Sequence, residues 1–206
     1  MATDPSPPSM PREMLESGGW VATETTVQTV FSLPTIEVRT ATAQYEDEAT
    51  RDALAEVTGH STEISPRFFA GTRLTFQPPL PPGVSPTMVA PMLRTESQST
   101  FTERLRERGV VDISRDGSQR MRGGGGNRAT VTRYDAAIEM ADLNHTVPLA
   151  CWVAFWTTRT ATTIVTGGHP QTSLAKSLSL ETTDNTLTRS SESYRDEFFR
   201  LLRAVN

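Results

Sequence analysis

Four consecutive glycines, Gly123–Gly126, lie between arginines in the segment QRMRGGGGNRATVTRY (residues 119–134). Such a run can hold a phosphate group when its backbone amides converge at the start of a helix. The spacing of the known phosphate loops is missing, because Arg128 or Ala129 stands where the last glycine of G-x-G-x-x-G is required, and no Gly-Lys-Ser/Thr follows. Both flanks have the composition of β-strands, so we expect a flexible hairpin turn.

Arginines around this turn indicate a second chemistry, the binding of anions. Residues 101–133 contain eight arginines and four carboxylates, a local charge of +4 in a chain of net charge −4, which leaves −8 elsewhere. Arg120, Arg122 and Arg128 could hold phosphate or sulfate through paired N–H groups, and a two-stranded ribbon could enter a groove of DNA. We favour a solvated strand face and do not expect nucleic acid as the partner, because the acidic remainder repels a polyanion.

No set of residues has the spacing of a catalytic or metal site. His60, His145 and His169 are scattered and form no zinc-binding motif, and no G-x-S-x-G elbow is present. Cys151 is the single cysteine, so an intrachain disulfide is impossible, and we expect a buried thiol in a strand. His145 lies six residues from it, about 20 Å along a strand. We therefore expect no enzyme, no metal and no cofactor.

An aromatic group in PLACWVAFWTT could line a pocket for a small apolar ligand. Trp152, Phe155 and Trp156 supply the rings, and a terminal helix would close the pocket over them. The competing interpretation is that the rings fill a continuous core. The apolar run itself is far too short to span a bilayer.

The length of 206 residues and the hydrophobic fraction of 36% fit one folded domain. Residues 1–8 are rich in proline and serine and are expected to form a disordered tail, which leaves residues 9–206 as a single domain. The first residues have no basic start and no apolar stretch, so we expect no secretory signal and a cytoplasmic location.

Hydrophobic periodicity predicts the elements that must position these residues. A short helix is predicted over PREMLES. It precedes a hairpin whose first strand runs from Trp20 to Phe31 and whose second strand, TIEVRTATAQY, follows Leu33-Pro34. A second helix is predicted over EDEATRDALAEV, and a third begins at Pro86 and can bend at Pro91. A last helix is predicted at the C-terminus, where Ser193 begins a capping box. A strand over RFFAGTRLTFQ ends at the loop PPLPPGVSP, and successive strands run from Val110 to about Thr166.

This order predicts an α+β fold, in which a mostly antiparallel sheet of hairpins, with six or so strands, is covered by three or four helices. The strands follow one another instead of alternating with helices, and this order fits an antiparallel sheet better than a parallel one. The first helix is short, and the C-terminal helix carries an apolar stripe that we expect to cover one sheet face.

The order of several segments resembles a family of uncharacterised proteins from halophilic archaea. These segments are PREMLESGGW, AQYED, PPLPPGVSP followed by MVAPMLRTESQSTFTERL, TRYDAAIEM and YRDEFFRLLRAV. The resemblance extends from about Ser9 to the end, and it implies no catalytic residues because the family has no assigned activity. Members often carry a lipoprotein-type leader. This sequence shows neither that leader nor a cysteine near its start, so the resemblance does not imply anchoring here.

Together these observations predict a non-catalytic domain that binds a protein or a small ligand, against its sheet or near the proline-rich loop. The alternative prediction is a domain that binds anions or nucleic acid through the arginine-rich hairpin.

Overall fold

The computed structural model of the chain describes residues 5–33, 36–61, 64–159 and 161–206. In chain order its helices and strands are α1 (Arg12–Ser17), β1 (Trp20–Leu33), β2 (Ile36–Asp47), α2 (Glu48–Thr58), β3 (Phe68–Gln77), α3 (Pro86–Glu107), β4 (Val110–Arg122), β5 (Arg128–Met140), β6 (His145–Thr157), β7 (Thr162–Pro170), α4 (Leu174–Ser177) and α5 (Ser191–Ala204). Two single turns of 3-10 helix, Gly124–Gly126 and Ala141–Leu143, join β4 to β5 and β5 to β6.

The seven strands form one antiparallel sheet in the order β1-β2-β3-β7-β6-β5-β4. This confirms the predicted α+β fold with a short N-terminal helix and a C-terminal helix. The described residues hold five α-helices instead of three or four, because the four-residue helix α4 forms in the polar Thr/Ser-rich passage. The turn predicted at Leu33-Pro34 falls partly on residues 34–35, outside the described residues.

Helices pack on both faces of the sheet, because alternate residues of each strand point in opposite directions. On the face that we call the α3 face, strand residues pack with α2, α3 and α4. This cluster includes Val38, Leu74, Ile138, Val153 and Phe155 from the strands and Leu54, Leu93, Leu105 and Leu174 from the helices. On the opposite face, the α5 face, Phe69, Val131, Trp152, Trp156 and Val165 pack with Leu15 of α1 and with Phe198, Leu201 and Leu202 of α5.

Local signals fix most of the helix ends. Asp47 caps α2 by accepting a hydrogen bond from the Thr50 amide at 2.9 Å, and Gly59 ends this helix with a left-handed φ of 72°. Residues 78–85 form a loop, as their prolines predicted, and Pro86 is the first residue of α3. Pro91 lies inside α3, which continues to Glu107.

The prediction that Ser193 caps the last helix is wrong. Ser190 is the cap, and its hydroxyl accepts a hydrogen bond from the Ser193 amide at 3.2 Å, so α5 begins at Ser191. Two serines precede Ser193 in the sequence, and each of the three can cap a helix equally well. Propensity alone therefore could not choose among them.

The first described residues lie beside the end of the chain. Pro8 is buried, and the Asn206 amide donates to the Ser9 carbonyl at 3.0 Å. The division into a tail of residues 1–8 and a domain of residues 9–206 stays a prediction. Among the helices of the described ranges, none is long and apolar enough to cross a membrane.

Arg67 is a fully buried cation at the point where β2, β3 and α5 meet. Its side chain is 2% exposed, and its two terminal nitrogens donate to different carboxylates, Asp47 and Glu197. The guanidinium carbon lies 4.7 Å from the centre of the Trp20 ring and 4.6 Å from that of Tyr194. A guanidinium offers a planar set of donors and a flat face for ring stacking, which an ammonium group does not.

The carboxylate of Glu197 connects α5 to this cation. It accepts hydrogen bonds from Arg67 at 2.9 Å and from the Trp20 indole at 2.9 Å, and it also pairs with Arg189. Burial acts to raise the pKa of Glu197, but Arg67, Trp20 and Arg189 together hold this pKa below its ordinary value. The buried cluster therefore keeps Glu197 ionised and attaches α5 to β1 and to the start of β3.

Replacing Arg67 by methionine is expected to lower the free energy of unfolding by about 3–5 kcal/mol, because two buried carboxylates lose their cation. Chemical denaturation followed by circular dichroism measures this change. The matched control is Arg51→Met, since Arg51 is 34% exposed and pairs with Glu46 at 3.4 Å. Loss of that ion pair should cost no more than about 1 kcal/mol. Equal effects of the two substitutions would contradict the role of Arg67.

Candidate functional site

A cleft of about 90 Å³ lies on the α3 face, between α3 and strands β2, β3 and β7. The strands contribute Thr40, Thr42, Ala70, Thr72, Leu74, Ile164 and Thr166. The helix contributes Leu93, Glu96, Ser97, Thr100, Phe101 and Arg104. The spacing of these helix residues corresponds to one side of an α-helix. We call this space the threonine cleft.

Hydroxyl groups line the floor of the threonine cleft. The hydroxyls of Thr42 and Thr72 lie 2.9 Å apart, and these residues are direct partners in the β2–β3 register. The hydroxyl of Thr40 donates to the Gln28 carbonyl. A hydroxyl has one donor and two acceptor positions, so each of these groups keeps the capacity to accept a further hydrogen bond.

Threonine on this floor contrasts with the residues on the same sheet face further along. There, under α3 and α4, most strand residues are apolar, as at Ile138, Val153 and Phe155, and the buried Thr132 hydroxyl accepts a hydrogen bond from Gln98 of α3. At Thr42, which is 2% exposed, valine would fill almost the same volume without burying a hydroxyl. Packing alone therefore does not account for the hydroxyls of the cleft.

Charges of opposite sign stand at the rim of the cleft. Glu96 is exposed on α3, and Arg104, two turns further along, donates to the Gln28 side chain on β1 at 3.4 Å. No ionised side chain other than these two lines the described part of the cleft. The described lining of the cleft thus has no net charge and combines hydroxyl groups with the apolar side chains of Leu74, Phe101 and Ile164.

A family model for a domain of unknown function, DUF6517, matches residues 7–206. The chain belongs to the DUF6517 family. A search of curated proteins returned no match. The predicted membership of an uncharacterised family is thus confirmed, whereas the origin in halophilic archaea stays a prediction.

The DUF6517 domain does not bring Trp152, Phe155 and Trp156 into one pocket. All three are buried, with 6%, 3% and 3% of their surface exposed. Trp152 and Trp156 lie on the α5 face, whereas Phe155 lies on the α3 face. The odd spacing between Phe155 and each tryptophan produces this separation, because residues alternate between the two faces along a strand.

Trp152 takes part in an aromatic cluster on the α5 face. Its ring stacks on Phe198 at a centroid distance of 6.0 Å, and its indole nitrogen donates to Nε2 of His169 at 3.2 Å. Nδ1 of His169 faces the Pro170 carbonyl at 2.9 Å, so the neutral tautomer with hydrogen on Nδ1 satisfies both contacts. His169 is therefore a packed core residue.

Cys151 and His145 lie apart on one continuous strand, β6, which runs from His145 to Thr157. Cys151 is buried, and this burial raises the pKa of its thiol to about 12. His60 and His145 are exposed. The residues that the structure describes contain no group of three His, Cys, Asp or Glu placed to hold a metal ion.

The three arginines of the predicted anion site share one face of the β4–β5 hairpin. Arg122 pairs with Arg128, and Arg120 pairs with Thr130, so all three lie on the α3 face. Each is exposed, and none forms an ion pair with a described residue. The structure thus places the three arginines on one face, and their role as an anion site stays a prediction.

The four glycines form a hairpin turn that packs against the end of the chain. Gly125 and Gly126 have left-handed φ values of 60° and 74°, as in a tight turn. A Cβ atom at Gly124 would collide with the Val205 carbonyl oxygen. A strand follows the turn instead of a helix, so the amides form no phosphate cradle, and the predicted hairpin is confirmed.

Substitution Gly124→Ala is expected to destabilise the domain, because the new methyl group collides with the backbone after α5. We expect a loss of about 1–3 kcal/mol, the usual cost of overpacking, together with faster amide hydrogen exchange in α5. Gly117→Ala is the control, since a Cβ atom there meets nothing within 4 Å. A Gly124→Ala protein as stable as the control would show that the turn does not support α5.

His169 predicts a pH dependence of stability. Burial, opposed in part by the bond to Pro170 and assisted by Arg67, Arg133 and Arg195, lowers its pKa from 6.5 to about 4. As the pH falls, the His169 imidazole of the unfolded chain therefore binds a proton near pH 6.5, whereas that of the folded chain binds one only near pH 4. The unfolded state is therefore favoured as the pH falls between these values, by about 3 kcal/mol.

The variant His169→Gln can keep both hydrogen bonds but does not titrate. Its free energy of unfolding should therefore fall less than that of the original chain between pH 7 and pH 4, as measured by urea denaturation. The exposed His60→Gln is the control and should follow the original chain. Parallel pH curves for all three proteins would refute the assignment to His169.

Proposed function

We propose that this DUF6517 domain is a non-catalytic binding domain, and that its ligand is a small uncharged amphipathic molecule held in the threonine cleft. The observation that carries the proposal is the paired hydroxyls of Thr42 and Thr72 on the floor of a partly apolar concavity. A ligand of this class would accept or donate hydrogen bonds at the floor and place its apolar part against Phe101 and Ile164.

The charge distribution supports a neutral ligand over an ionic one. Glu96 and Arg104 at the rim carry opposite charges, so the lining has no net charge and attracts neither an anion nor a cation overall. The floor carries hydroxyls only, which serve as donors or acceptors without a charge preference. Residues of three strands and one long helix form the cleft, and such elements hold the polar groups in fixed positions.

The alternative function, binding of anions or nucleic acid by Arg120, Arg122 and Arg128, stays a prediction. The observation in its favour is that these guanidinium groups share a face and form no ion pair with a described residue. These three arginines lie on a different part of the α3 face, and none of them lines the threonine cleft.

The double substitution Thr42→Val/Thr72→Val tests the proposed function. It removes both hydroxyls but keeps the branched shape, and loss of a mutually bonded pair should leave the free energy of unfolding nearly unchanged. Affinity for a neutral hydroxylated or amide-containing ligand should fall about tenfold or more. Titration of the labelled protein with a small-molecule library, followed by NMR chemical shifts in β2, β3 and α3, measures the affinity.

The control is Thr23→Val/Thr29→Val, which makes the same change at two exposed positions of β1. The library should contain neutral polar compounds, hydrocarbons and carboxylates. The proposal fails if no neutral compound shifts the cleft resonances, or if the Thr42→Val/Thr72→Val protein binds such a compound as tightly as the control does.

A further inference from the structure

Several loops meet at one end of the sheet. The pairs Arg122–Arg128 and Thr157–Thr162 place the β4–β5 turn and the β6–β7 loop at this end. Leu74 also pairs with Thr162, so β3 leaves the sheet here and leads into the proline-rich loop, residues 78–85. The topology thus brings together segments that are far apart in the sequence.

Helix α3 lies along β5 with its first turns at the same end. The rings of Phe101 and Tyr134 pack together with their centres 5.8 Å apart, and the Gln98 side chain donates a hydrogen bond to the Thr132 hydroxyl at 3.0 Å. One turn earlier, the Arg94 guanidinium lies 5.5 Å from the Phe155 ring, and Phe155 pairs with Thr130. Each turn toward the start of α3 therefore moves toward the β4–β5 turn.

The solvent side of these first turns is apolar. Met88 is 66% exposed and Met92 is 52% exposed, the two largest values among the large apolar residues of the described chain. Val84, four residues before Met88, is 39% exposed. Met88 and Met92 lie one turn apart on the exposed side of α3, away from the buried Ala90, whereas Val84 belongs to the loop that leads into the helix. The exposed methionines therefore form a ridge at the start of α3.

Arginines outnumber carboxylates around this ridge, although one exposed carboxylate, Glu96, follows Met92 by one turn of α3. Residues 78–95 and 117–134 contain five arginines and no Asp or Glu. Arg120, Arg122 and Arg128 point to the α3 face, as Arg94 does through its contact with Phe155. None of these four forms an ion pair with a described residue, whereas Arg67, Arg108 and Arg189 do.

We infer that this region, which we call the basic tip, is a docking site for an anionic lipid surface. The basic tip consists of Val84, Met88, Met92, Arg94, Arg120, Arg122 and Arg128. Its apolar ridge can enter the boundary between headgroups and acyl chains while the guanidinium groups contact the lipid phosphates. Duplex DNA offers phosphates but nothing that would bury the methionines, and a fluid bilayer accommodates a ridge without a matching groove.

The test is the binding of the full chain to lipid vesicles at low ionic strength, measured by sedimentation. Vesicles of anionic phospholipid should bind the protein, vesicles of neutral phospholipid should not, and added salt should weaken the binding. The substitution Arg120→Gln/Arg122→Gln/Arg128→Gln should lower the partition coefficient by roughly 100-fold. Met88→Ser/Met92→Ser should lower it by roughly tenfold.

Matched controls make the same changes elsewhere on the surface. They are Arg12→Gln/Arg106→Gln/Arg195→Gln and Val21→Ser/Val57→Ser, all at exposed positions, and both should bind anionic vesicles as the original chain does. Equal binding by tip variants and controls would overturn the inference. The inference would also be overturned if the protein bound duplex DNA or an acidic peptide but did not bind anionic vesicles. The Thr42→Val/Thr72→Val protein should bind anionic vesicles as the original chain does, because the basic tip is a separate surface from the threonine cleft.

Discussion

The buried guanidinium of Arg67 is the contact on which the arrangement of the two layers depends. It joins Asp47, which caps α2 at the end of β2, to Glu197 on α5, and it does so between the rings of Trp20 and Tyr194. An apolar contact would tolerate sliding of α5 over the sheet. A cation shared by two carboxylates does not, because any shift leaves a buried charge without a partner.

Much of the fold could be predicted from residues that interrupt regular structure. Glycine and proline marked the ends of α1, α2 and β3, and alternation marked the hairpins, because these signals act within a few residues of chain. The cap of α5 was misplaced because Ser190, Ser191 and Ser193 are chemically equivalent in a local window. Their difference lies only in how the helix meets the rest of the domain.

The sites were less predictable because they depend on contacts between distant residues. Arg67 lies 130 positions from Glu197, and no local pattern joins them. Thr40 and Thr42 were read as strand residues from their alternation, but the sequence does not show that α3 leaves a cleft above them. Phe155 is an odd number of residues from Trp152 and from Trp156, so the sequence alone indicates that its ring lies on the opposite face, since side chains alternate along a strand unless a bulge intervenes.

The two faces of the sheet differ in how completely they are closed. On the α5 face, an ionic cluster and an aromatic cluster hold the helix in place, and the glycine turn fits against the backbone at Val205. On the α3 face, the helix packs on β4, β5, β6 and β7 but leaves threonine hydroxyls of β2 and β3 beside a cavity. The proposed binding role would use this difference, because the open side can meet a ligand while the closed side maintains the sheet.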